Sequence, residues 1–348
     1  MKIRKRTVFN IVFLAAVLLL TLYSLTKTQD MDKLGEAFLK ADVKYIIIAA
    51  VCVLGYMVVQ AVVIWINLKT LGYKLNFFRA LKYAFLGYFF LSITPFGMGG
   101  PAMQIVSMKK DEIPVSVSSI VVLLYSFIHK GVLVLVGIAV LIFGNRLFLT
   151  HLDGTEFFFG LGMFLTAGFS FLLALFTFHP SLAKKIVVKF MTWLEKKHIM
   201  KHKEGRIERI TAGMNRYRDT AAFFKAHGPL IFLEIIIILV QRFFLFAVTY
   251  FVYRAFGLSG INPLLIMLLQ SVVSLCVDML PIPGGMGISE FLFAIIFNTI
   301  FTEALVMPGL VLSRGISYYI QLLLCGIITL FAYAIPSKIK EKKNGTKP

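Results

Sequence analysis

The chain has 348 residues, of which 59% are hydrophobic and 15% charged, and its mean hydropathy is +0.85. A soluble globular domain carries about 45–50% apolar and about 25% charged residues, so that class is excluded. The net charge of +19 reads as a cytoplasmic excess of Lys and Arg plus attraction to anionic headgroups, and no nucleic-acid partner is expected.

The chain opens on MKIRKR, four cations without an acid, followed by the apolar run Val8–Leu25. No small-residue cleavage site follows, so the run reads as an uncleaved first span. Lys27–Lys44 balances four cations with four acids and reads as external. Tyr45–Ile66 is long enough to cross the hydrocarbon core. Lys69, Lys74, Arg79 and Lys82 follow with no acid among them, a cytoplasmic signature. Further spans are expected at Val115–Phe143, Phe157–Phe178, Leu230–Val252 and Val306–Ala334. None shows the ten-residue alternation of a β-barrel strand. The 144–156 connection holds one Arg and two acids and reads as external, whereas 180–228 carries twelve Lys/Arg against four acids. The tail after Ala334 has five Lys and one Glu. Both termini and the 180–228 loop are therefore expected in the cytoplasm of a multi-pass plasma-membrane protein.

This placement constrains the segment from Asn76 to Met108. A single crossing there would put the loop's net +8 outside. The segment contains Thr94-Pro-Phe-Gly-Met-Gly-Gly-Pro101, where glycines and prolines interrupt a helix. A broken hairpin that enters and returns on one side is expected, with its backbone buried in protein or lining a wet cavity.

The second half repeats the plan. Asn76 lies 19 residues before Pro95, and Asn262 lies 19 before Pro281. Lys130-Gly131 and Arg314-Gly315 follow those prolines by 35 and 33 residues. The expected fold is all-α: a single membrane domain over residues 1–335 with about six full spans and two broken, re-entrant hairpins in an inverted repeat. Repeat 1 covers about 44–143 and repeat 2 about 229–334, and 336–348 form a lysine-rich tail.

Ionisable groups inside a bilayer are costly and are candidates for function. They are Lys130, Arg242, Asp278, Glu290 and Arg314, with His129 beside Lys130 and Glu234 near a span end. The structural alternative is mutual pairing of Asp278 or Glu290 with Arg314 or Lys130. The functional reading brings an anionic phosphate to Lys130 and Arg314, with Arg242 and Gln104 nearby and Glu290 and Asp278 positioning the cations or coupling a proton. Gly97, Gly99 and Gly100 in the first break, and Gly284, Gly285 and Gly287 in the second, expose backbone N–H groups at half-helix ends. Lys109 and Lys110 follow the first break and would guide a phosphate at the rim, or simply obey the charge rule. In the basic loop, Phe190, Trp193, Leu194, Ile207, Ile210, Met214 and Tyr217 recur three to four apart, a pattern for lying on an anionic leaflet. Cys52, Cys276 and Cys325 give no disulfide framework. No nucleophile–base motif, nucleotide loop or metal spacing is present, so no catalytic residue, metal or cofactor is expected.

The stretches TPFGMGGPAMQIVSMKKDEIP and PIPGGMGISEFLFAIIF resemble the flippase-like transmembrane domain of the lysylphosphatidylglycerol synthase superfamily, over about residues 1–335. The resemblance is to stand-alone members without the soluble synthase domain. It implies about eight helical elements, a bacterial plasma membrane, and movement between leaflets of an anionic phospholipid of the aminoacyl-phosphatidylglycerol type or of a lipid-linked glycan. Many members carry an acid after the first glycine pair; here Pro101, Ala102 and Met103 follow Gly100, while Glu290 matches the second motif. Two other functions fit the same residues: an integral lipid transferase of the phosphatidylglycerol lysyltransferase kind, and a non-transporting scaffold of an envelope synthase. The partner expected is a membrane lipid, and a homo-oligomer or a partner synthase is compatible with the pattern.

Overall fold

In this computed structural model, residues 31–143, 152, 154–196, 206–280, 282–285 and 287–334 are described. The expected first span, Val8–Leu25, and the lysine-rich tail lie outside them, as do Pro281 and the side chains of Phe190, Leu194, Ile207 and Ile210.

Every regular element among the described residues is helical. In chain order they are α1 (Met31–Lys40), α2 (Val43–Thr70), α3 (Phe77–Ser92), a 3₁₀ turn (Pro95–Gly97), α4 (Gly99–Lys110), α5 (Val115–Phe143), α6 (Glu156–Phe178), α7 (Pro180–Lys196) and α8 (Arg206–Ala226). The second half continues with α9 (Gly228–Ala255), α10 (Pro263–Val277), a 3₁₀ turn (Pro283–Gly285), α11 (Ile288–Phe297), α12 (Glu303–Arg314), a π turn (Gly315–Ile320) and α13 (Gln321–Ala334). Among the described residues five helices are long and apolar enough to cross a membrane: Val43–Thr70, Val115–Ile142, Glu156–Phe178, Gly228–Ala255 and Glu303–Phe331. They account for the expected spans after the first. Phe157, Phe164, Phe171, Leu330 and Phe331 stay exposed, the apolar exterior that a lipid-facing surface needs.

The two halves share local chemistry. Asn76 and Asn262 both cap the helix that enters a break, accepting from Phe78 N at 3.3 Å and Leu264 N at 2.9 Å. Both breaks use the same pair of left-handed residues: Phe96 and Gly97 at φ 56° and 65°, Gly284 and Gly285 at 64° and 64°. Both close with one turn hydrogen bond, Gly97 N to Thr94 O at 3.1 Å and Gly285 N to Ile282 O at 3.0 Å.

This geometry corrects the register expected from the prolines. Pro95 corresponds to Pro283 rather than to Pro281, because two residues separate α3 from its turn and five, 278–282, separate α10 from the second. The longer connection carries Asp278. In the corrected register Glu290 stands opposite Ala102, not Gln104. The last span is also less regular than expected, since Pro308 sits inside α12 and the π turn follows Arg314 directly. Such turns interrupt the ordinary hydrogen-bond ladder and recur at functional positions.

The helices α2 and α9 pack along one another as the spine of the molecule. Each broken hairpin then leans on the other half: α3 on α13, and α10 on α5 and α6. The turns of the two breaks touch. The basic loop differs in part from its expectation. Its second helix, α8, turns its apolar side onto α5 rather than presenting it to a leaflet: Phe224 is fully buried and the Tyr217 hydroxyl donates to Phe176 O at 2.6 Å. Trp193 on α7 is half exposed.

Close helix approach depends on particular glycines. A Cβ on Gly162 of α6 would stand 2.6 Å from Leu275 O and 2.8 Å from Cys276 Cα of α10, both backbone atoms that cannot swing away. Gly162→Ala is expected to cost about 1–3 kcal/mol and to lower the unfolding midpoint in detergent. Gly168→Ala, on the same helix with nothing within 4 Å, should not lower it.

Candidate functional site

The two breaks meet at the wall of a cavity of about 430 Å³. Helices from both halves deliver its polar groups. From α5 come Tyr125, His129 and Lys130; α9 supplies Arg242; α4 supplies Gln104; and Asp278 arrives on the long connection after α10. Gly97, Gly100, Gly284 and Gly285 also line it, so α4 begins at the cavity wall with its N-terminal end. The positive end of a helix at such a wall favours an anion.

Gly87 and Gly100 let the first hairpin close tightly. A Cβ at Gly100 would lie 2.7 Å from Gly87 O, and one at Gly87 would strike the Gln104 amide. Gly99 plays a different part: Thr94 Oγ1 accepts from its N–H at 2.9 Å, which satisfies one orphan donor of the new helix.

Lys130 meets Asp278 at 2.5 Å, with both side chains largely buried. Arg314 donates through Nε to Glu290 Oε1 at 3.0 Å and through Nη2 to Gly284 O at 2.8 Å. Glu290 in turn accepts at Oε2 from Gly287 N (2.6 Å) and Ser289 Oγ (2.8 Å), capping α11. The pairing alternative is thus realised for both of these cations, and the two carboxylates position them.

Arg242 is different. It is 3% exposed, and no carboxylate lies within salt-bridge distance of it among the described residues. Its Nη2 donates to His129 Nδ1 at 3.1 Å and to His129 O at 3.0 Å, while Nε has no partner among the described residues. A guanidinium only donates, so His129 accepts at Nδ1 and carries its ring proton on Nε2. That nitrogen faces the Tyr56 hydroxyl at 3.4 Å. Beneath this group Gln241 ties the aromatic wall together. Its amide donates to Tyr56 O at 2.8 Å and Tyr88 Oη at 3.0 Å and accepts from Tyr125 Oη at 3.2 Å. The result is a rigid polar floor holding one uncompensated buried cation. An unpaired buried charge costs several kcal/mol, roughly 3–5 where one partner of a pair is missing.

A second cavity of about 180 Å³ adjoins the first and contains Arg314. The two share Tyr56, Tyr88, Leu91, Leu245, Ser274 and Gly284 as a common wall. The Tyr318 hydroxyl, on the π turn, donates to Ser92 O at 3.0 Å and so ties the second half to the end of α3.

Of the candidates from sequence, Glu290 and Gly287 sit behind Arg314, and Gly99 sits behind the first break; none of the three lines this cavity or the larger one. Lys109 and Lys110 are exposed at the far end of α4, outside both cavities. Buried Glu234 lies beside Asn67, away from both. The members that sequence reasoning passed over are Tyr56, Tyr88 and Tyr125. They are uncharged, and only the packing of three helices brings them together. Among the described residues no group of three or more His, Cys, Asp or Glu side chains is placed to hold a metal ion.

Removing one partner of the Lys130–Asp278 pair strands a buried charge. Lys130→Met should destabilise the fold by about 3–5 kcal/mol, and Lys130→Met with Asp278→Leu should recover most of that loss. Unfolding in detergent compares the two variants.

The family described as "Lysylphosphatidylglycerol synthase TM region" matches residues 8–325. No curated protein sequence matches the chain. With nearly its whole length covered, the chain belongs to that family and is a multi-pass membrane protein.

Proposed function

We propose that this member of the lysylphosphatidylglycerol synthase transmembrane family moves a lipid between leaflets, holding the headgroup phosphate at Arg242. The observation that carries the reading is the charge of Arg242, buried at a cavity wall without a carboxylate partner among the described residues. A phosphate supplies the missing anion and accepts from a guanidinium with two oxygens at once. The N-terminal end of α4 at the same wall adds to the attraction.

Lys130 is the second contact. A phosphate reaching it competes with Asp278 for the ammonium, so arrival of the lipid and release of the carboxylate are coupled. Passage runs from the larger cavity into the smaller across the shared wall, which Leu91 and Leu245 help to form. Basic residues in the 180–228 loop and in the tail support placing both in the cytoplasm of the plasma membrane.

His129 bears on the alternative of a lipid transferase. Its Nδ1 is occupied by Arg242 and its Nε2 proton faces Tyr56. It is held as a structural acceptor and not poised beside a nucleophile, which favours transport over acyl or glycosyl transfer.

The test is translocation of an acyl-chain-labelled phospholipid in vesicles containing the purified chain. Arg242→Gln is expected to slow translocation by at least about tenfold, the loss of roughly 1.4 kcal/mol of phosphate binding, with insertion unchanged. Arg242→Lys should retain part of the rate, since it keeps the charge and loses the fork. Translocation by Arg242→Gln at the wild-type rate would sink the reading.

A further inference from the structure

The smaller cavity differs in chemistry from the larger. Around Arg314 it is lined by the hydroxyls of Thr249, Ser313 and Ser317 and the amides of Gln270 and Gln321. Thr249 Oγ1 donates to Gln270 Oε1 at 2.8 Å and shares a 3.0 Å hydrogen bond with Ser313 Oγ. With its oxygen engaged, Gln270 turns its NH₂ away from Thr249. Neither that NH₂ nor the Gln321 NH₂ donates to any group among the described residues. Arg314 Nη1 also has no acceptor among them, since Nε and Nη2 take Glu290 and Gly284.

Two amides and a guanidinium therefore line one small space beside hydroxyls that both donate and accept. A volume of about 180 Å³ corresponds to about six water-sized groups, enough for a glycerol or a single sugar ring.

Charge narrows the choice further. Among the described residues lining the two cavities are three basic side chains, Lys130, Arg242 and Arg314, and the one carboxylate there is Asp278, already held by Lys130. Glu290 is turned to Arg314 and α11. An ammonium group entering this site meets cations and finds no unengaged carboxylate.

We infer that the lipid taken by this site bears a phosphodiester followed by an uncharged hydroxyl-rich group, and no ammonium: the phosphate sits at Arg242 and the polyol in the smaller cavity. Because the cavities share a wall, one headgroup can touch both. The inference rests on the translocation reading and selects among the headgroups that reading allows.

The experiment measures translocation of tail-labelled lipids by the full chain in vesicles. Phosphatidylglycerol and phosphatidylinositol represent the two polyol sources. Phosphatidic acid, phosphatidylethanolamine and lysylphosphatidylglycerol are the comparisons. The wild-type chain should move one or both polyol lipids about tenfold faster than phosphatidic acid, the difference expected for one to two lost hydrogen bonds. It should move both ammonium-bearing lipids more slowly still. Gln270→Leu and Gln321→Met should each bring the ratio of the polyol-lipid rate to the phosphatidic acid rate down to about one. The ratio within one preparation is independent of how much protein folds, and the wild-type ranking decides without any variant. Equal rates for phosphatidic acid and both polyol lipids, or faster transport of lysylphosphatidylglycerol, overturn the inference and leave translocation standing. No transport of any lipid overturns the translocation reading and the inference with it.

Discussion

A broken helix leaves backbone groups without partners inside the helix, and this structure is organised around satisfying them. Each break exposes carbonyls at the end of one half-helix and N–H groups at the start of the next. The answers come from side chains placed for the purpose. Thr94 takes the Gly99 N–H, Glu290 takes the Gly287 N–H, Arg314 reaches Gly284 O, and Tyr318 reaches Ser92 O. The last of these crosses from one half of the molecule to the other. Charges that would be costly alone thus become the braces of irregular backbone. Arg314 and Glu290 are as much structural as functional for this reason.

Once the breaks are braced, they have to meet, and the meeting leaves space. A continuous pair of helices would fill the centre with side chains, as α2 and α9 do along the spine. Glycines at 87, 100, 284 and 285 instead keep the walls thin, and any Cβ there would collide with a neighbour. Gly284 shows the constraint most directly. It has a left-handed backbone, and a Cβ would lie 2.4 Å from the Tyr318 ring. Phe96, its counterpart, adopts the same backbone with its side chain half exposed. A non-glycine residue there carries a conformational cost of about 1–2 kcal/mol.

Much of this was legible in the sequence because hydropathy and charge are local signals. Spans of about 20 apolar residues, the Asn caps and the two Gly/Pro stretches locate the helices and the breaks to within a few residues. The pairing of Lys130 with Asp278 and Arg314 with Glu290 was also foreseeable, since few intramembrane charges were available to pair. Register was not. Aligning Pro95 with Pro281 is natural from the motif, but the turn is defined by backbone angles at Phe96 and Gly284, and the additional residues that carry Asp278 are invisible until those angles are known. Nor did the sequence distinguish Arg242 from the other cations. What sets it apart is the absence of a carboxylate partner among the described residues, a property of packing. The apolar face of α8 was misplaced for a related reason: a spacing of three to four predicts a buried stripe without saying whether lipid or protein covers it.

Where the two braced breaks meet, Arg242 is thus kept without a carboxylate partner among the described residues. Native mass spectrometry of the gently purified chain tests this without requiring transport. The wild-type protein should retain a bound phosphate-bearing lipid that Arg242→Met loses, while Lys109→Met, outside both cavities, keeps it. Equal lipid retention by the wild type and Arg242→Met would contradict it.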